Sequence, residues 1–70
     1  MNKIKIVLQE QGRSQKWLSN KLGVSPASLS LYVNNHQSPK LETLVEIAKH
    51  LDVDIHELIE HTKPANKLNN

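Results

Sequence analysis

The stretch SQKWLSNKLGVSPASLSLYVNN, Ser14 to Asn35, decides the fold. Ser14 reads as the N-cap of a short helix that ends near Leu22, with Leu18 and Leu22 one turn apart on its buried face. Gly23 then supplies the positive φ that a tight turn between helices needs. Ser25 caps a second helix with Pro26 at its first position, where a missing N–H costs nothing. Two short helices meet across such a turn when a small residue one turn before the glycine lets them approach, and Ser19 stands there. The second helix, Ser25 to about Asn34, has Leu29, Tyr32 and Val33 on one side. Ala27, Ser30, Leu31 and Asn34 lie on the other, and that face carries no charge. An apolar Leu31 opposite Leu29 is exposed unless something uses it.

Outward from this pair the helical spacing continues. Helix 1 is expected over Asn2 to Gln11, with Ile4, Val7 and Leu8 inward and Gly12 ending it. A polar loop, Asn35 to Pro39, leads to a helix over Leu41 to Leu51 that is expected to bury Leu41, Leu44, Val45 and Ala48. Ser38-Pro39 is an alternative cap pair for its start. Asp54 with Glu57 reads as a capping box, and Val53 with Leu58 as the hydrophobic staple around it, opening a fifth helix that runs to about Glu60 or His61. No run alternates for long enough to make a strand. The expectation is therefore an all-α domain of five short helices over residues 1–61, followed by a flexible polar tail, residues 62–70.

Seventy residues make one domain, too small to frame a concave active site with insertions, so a binding module is favoured over an enzyme. With no cysteine there is no disulfide framework and no thiolate metal site, and packing alone must stabilise the chain. Ile6-Val7-Leu8 is the longest apolar run near the N-terminus, far short of a signal-peptide core or a membrane span, and the chain is expected to be soluble. The net charge of +2 hides an asymmetry: residues 1–40 carry +5 and residues 41–70 carry −3. The electropositive half contains the helix pair, which suits an anionic partner.

The segments SQKWLSNKLGVSPASLS and LETLVEIAKHLDVDIHELI, with the polar loop between them, resemble the small lambda-repressor-like or Cro-type regulators known as the Xre family. The resemblance runs from about Asn2 to Ile59. It implies a prokaryotic or phage-type cytoplasmic regulator, with helix 3 in the major groove of double-stranded DNA, helix 2 across the backbone, and two copies on a palindrome. By position, Gln15 matches the family glutamine that meets a phosphate, while Pro26, Ala27, Ser28, Ser30, Leu31 and Asn34 take the base-facing positions. Arg13, Lys16, Ser25, Asn35, His36, Gln37 and Lys40 join Gln15 as phosphate candidates. Relatives often place Gln, Arg or Lys on helix 3. This chain does not, so no bidentate arginine contact to guanine comes from it and direct readout is modest. Trp17 reads as a half-buried packing residue and Lys21 as a solvated one. Val53, Ile55, Leu58 and Ile59 offer more apolar surface than one short helix can bury and are the expected homodimer seam.

Rival readings are weaker. In HELIEH, His56 to His61, a zinc-protease pattern would need a second histidine where Glu60 stands, so no metal is expected. There is no Gly-rich phosphate loop, no Ser/His/Asp arrangement, and no sign of a cofactor or small-molecule ligand. The alternative from another class is a protein-interaction module, antitoxin-like for example, that keeps the fold with little DNA binding.

Overall fold

The computed structural model describes residues 2–59. Four α-helices follow one another, α1 (Ile4–Gln11), α2 (Gln15–Leu22), α3 (Pro26–Val33) and α4 (Leu41–Leu51), and a single 3₁₀ turn, η1 (Ile55–Leu58), closes the order. The expected fifth α-helix is this turn of four residues. Ile59 is already extended, and Glu60, His61 and the polar tail lie outside the described residues.

The core is built from every element: Ile4, Val7 and Leu8 from α1, Leu18 from α2, Leu29 and Val33 from α3, Ile47, Ala48 and Leu51 from α4, and Leu58 from η1. Two expectations about this core are corrected. Leu41 and Val45 face outward at 68% and 42% exposure, while Ile47 and Leu51 are enclosed. A stripe of spacing three and four fits 41, 44, 45 and 48 as well as 44, 47, 48 and 51. Packing against α2 and η1 selects the second. The other correction concerns Leu58, which is 0% exposed and so belongs to the core, not to a surface seam.

The chain's beginning is also reorganised. Asn2 is not helical: it forms an isolated antiparallel bridge with Ile59, and the Lys3 N–H donates to the Leu58 carbonyl at 2.8 Å. The Asn2 side-chain carbonyl accepts from the Ile4 N–H at 3.1 Å and so starts α1 two residues late. At the other end of α1 the Gln11 amide donates to the Leu51 carbonyl at 2.7 Å, joining the C-termini of α1 and α4.

The capping box at η1 is present: Asp54 accepts from the His56 N–H at 2.9 Å, and Glu57 accepts from the Asp54 N–H at 3.3 Å. The His56 backbone N–H, and after it the His56 side chain, holds the Asp54 carboxyl below its ordinary value of 3.8. A depressed carboxylate stabilises the fold above the unfolded value, and that contribution disappears as pH falls through the folded value. The expected result is a His56 amide resonance that follows the Asp54 carboxyl with a midpoint below 3.8, with the protection of the η1 amides, relative to their intrinsic exchange, falling at the acid end. A midpoint at or above 3.8 would mean the cap is not formed.

Candidate nucleic-acid interface

The α2–α3 pair is set by local hydrogen bonds. The Ser14 hydroxyl accepts from the Trp17 N–H at 3.0 Å, and the Ser25 hydroxyl from the Ser28 N–H at 3.1 Å, so each serine satisfies a free donor of its helix. Gly23, at φ 72°, lets the chain turn, and its N–H and that of Val24 both donate to the Ser19 carbonyl, at 2.9 and 3.1 Å. Ser19 is fully buried between the helices, with its hydroxyl donating to the Lys16 carbonyl at 2.9 Å. Its small size permits close approach, and its one polar group is paired.

With Leu29 and Val33 buried and Tyr32 half-buried, the opposite side of α3 is left as one outward face of Ala27, Ser30, Leu31 and Asn34. Ser30 is partly covered and the other three are exposed, Leu31 at 43%. Pro26 and Ser28 stand exposed at the N-terminal edge of this face. Arg13 before α2, Lys16 in its first turn and Lys40 before α4 are exposed, and among the described residues none of the three is held in an ion pair. No acid occurs between Glu10 and Glu42 in the sequence, while in space Lys40 shares a shallow groove with Glu42 and Glu46 and Arg13 borders a hollow with Asp52.

A match to the helix-turn-helix family covers residues 4–58. The chain belongs to the Xre-type helix-turn-helix family. Among solved structures it is similar to a candidate DNA-binding protein of Bacteroides fragilis, at 38% identity and a TM-score of 0.81, covering 83% of this chain and 94% of that one. It is also similar to the N-terminal DNA-binding domain of SinR from Bacillus subtilis, at 33% identity and a TM-score of 0.72, over 86% of this chain and 88% of that domain. No curated protein matches. Among the described residues, no helix of this helix-turn-helix domain is long and apolar enough to cross a membrane.

Several candidate side chains are engaged within the fold. The Asn34 amide donates to the Ser30 carbonyl and hydroxyl, both at 3.0 Å, and the Ser25 hydroxyl donates to that of Ser28 at 3.0 Å. Asn35 takes the left-handed conformation, φ 60°, that ends α3, and its side-chain oxygen accepts from the Asn2 N–H at 2.9 Å. Asn35 is thus a structural hinge between α3 and the chain's first residues. The N–H groups of His36 and Gln37 both donate to the Leu31 carbonyl, at 2.9 and 3.1 Å, which fixes the exposed loop against the end of α3. Arg13 lies 4.0 Å from the Trp17 ring centroid and Lys21 5.9 Å from it. Trp17 therefore packs against the core and also carries two cations. Gln15 is partly covered at the first position of α2.

The residue that sequence reasoning missed is Asn2. Besides its bridge to Ile59 and its bond to Asn35, its amide donates to the Tyr32 carbonyl at 2.8 Å, so the N-terminal segment holds the end of α3. The local signal was an asparagine two positions before Ile4, the first apolar residue of α1, and that signal specifies a turn at the helix start, not a partner thirty residues away.

Proposed function

We propose that this chain is a sequence-specific DNA-binding regulator of transcription, acting as a repressor in a prokaryotic or phage-type cytoplasm. It binds a palindromic operator as a homodimer, with α3 in the major groove. The observation that carries this reading is the uncharged outer face of α3, Ala27, Ser30, Leu31 and Asn34, in a stretch whose exposed cations Arg13, Lys16 and Lys40 have no acid between them in the sequence. The similarity to the DNA-binding domain of SinR supports it.

Phosphate contacts supply most of the affinity, from the three cations and from Gln15, Ser25, His36, Gln37 and the free amides at the start of α2. The face of α3 then reads bases lightly. Leu31 and Ala27 suit thymine methyl groups, and the side-chain oxygen of Asn34, its amide turned back on Ser30, suits a base donor. One module with so sparing a reading head falls short of the usual affinity of roughly 10⁻⁸ M, whereas two half-sites about one helical turn apart reach it. Repression is favoured because α2 and the turn expose Lys16, Asn20 and Lys21 in place of acids.

Selection from a random DNA pool should enrich a palindrome. On that site, Leu31→Ala is expected to lower specific binding by about 1 kcal/mol with little change on random duplex, while Lys16→Ala weakens all sequences nearly alike. Equal losses on both kinds of DNA would remove Leu31 from the reading head. A wild-type chain that fails to retard random duplex at low salt would instead mark an interaction module that has kept the fold.

A further inference from the structure

The face of α4 that the core leaves uncovered is longer than two residues. Leu41 and Val45, one turn apart, line a shallow groove with Lys40, Glu42 and Glu46. Val45 also borders a second groove with Ala48, Lys49, Asp52, Val53 and Ile55. The two grooves share Val45, so an apolar strip runs from the first residue of α4 to the first residue of η1. Its rim sets Glu42, Glu46 and Asp52 beside Lys40 and Lys49, a border of mixed charge that suits a second protein surface of mixed charge better than a phosphate backbone.

We infer that this strip is where a second copy of the chain docks, with the two α4 helices antiparallel and crossing beside Val45. The inference rests on the proposed binding as a homodimer and gives that dimer its surface. Glu42 lies near the N-terminal end of the strip and Lys49 near the C-terminal end. Reversal of one helix therefore sets Lys49 of each copy beside Glu42 of the other, twice per two-fold interface. Lys49 is 3.5 Å from Glu46 within one copy, but both side chains are more than half exposed, so re-pairing costs little. Antiparallel helix dipoles add to the fit. Of the four residues first expected in the seam, Val53 and Ile55 lie on the strip, Leu58 is core, and Ile59 faces a different groove with Asn2 and Leu44. With Ala48 already 5% exposed, Leu41, Val45, Val53 and Ile55 fall well below the roughly 800 Å² per partner of a standard interface, so the free dimer is weak and is completed on DNA, where adjacent half-sites raise the effective concentration.

The chain has no cysteine, so single thiols report the geometry cleanly. The V45C variant is expected to form a disulfide-linked dimer under mild oxidation, faster on palindromic duplex, whereas N20C on the exposed side of α2 is not. E42K and K49E should each weaken binding to the full palindrome about tenfold while half-site binding is retained, and the double variant should restore it. No crosslink at V45C, an equal crosslink at N20C, or a double variant no better than the singles would overturn the inference. Failure of the DNA reading is separate: it would appear as no half-site binding by wild type, with the V45C crosslink in free protein unaffected.

Discussion

Leu58→Ala is expected to destabilise the monomeric fold by about 2–5 kcal/mol, the range for emptying a closed aliphatic site in a core. Leu58 is 0% exposed and belongs to the same cluster as Ile4, Leu18, Leu29, Ile47 and Leu51. Domains of this size hold total stabilities near the lower end of about 5–15 kcal/mol, so the change removes a large share. At about 4–8 °C per kcal/mol, the melting temperature falls by roughly 8–40 °C. The effect also spreads. The Leu58 carbonyl accepts from the Lys3 N–H, and Asn2 beside it holds the Tyr32 carbonyl and Asn35 at the end of α3. Loosening η1 therefore releases the exit of the helix proposed to read DNA, and operator affinity should fall with stability. Urea or thermal unfolding at low protein concentration checks this. A loss under about 1 kcal/mol, accompanied by a change in self-association, would return Leu58 to a surface seam.

The second large effect is the response of DNA binding to salt. With Arg13, Lys16 and Lys40 as phosphate neutralisers, a dimer makes about six ionic contacts, and roughly −0.9 per contact gives a slope of log affinity against log salt near −5. Between 50 and 200 mM salt the affinity then falls by about 10³. Neutral ligands such as Gln15, Ser25 and His36 position the duplex without releasing counterions. Arg13 is the informative member of the set because its guanidinium stacks on Trp17 and its Nε donates to Gln11 at 3.1 Å. If it stays there in the complex, the slope drops to about −3.6, carried by four contacts from Lys16 and Lys40. Lys16→Ala should flatten the slope by nearly two in the dimer. A slope near zero with intact sequence preference would mean that the basic residues do not face the duplex.

The helix pair at the centre of the proposed interface was determined by the sequence itself. Ser14, Ser25, Pro26 and Gly23 act through bonds and dihedral angles within about four residues, and the structure shows each of them doing so. The buried Ser19 and Leu29 were legible for the same reason, since a two-helix turn leaves one place for a small residue and one side for the leucine. The tertiary structure alone decided which side of α4 is buried, because its apolar residues fit two overlapping stripes and only the positions of α2 and η1 separate them. It also decided the role of Leu58, whose local pattern suits a staple or a seam equally well, and that of Asn2, whose partners are Tyr32, Asn35 and Ile59. Caps and turns are short-range and can be read one residue at a time. Burial is a choice among competing faces, and it is made only when segments distant in the chain compete for the same apolar surface.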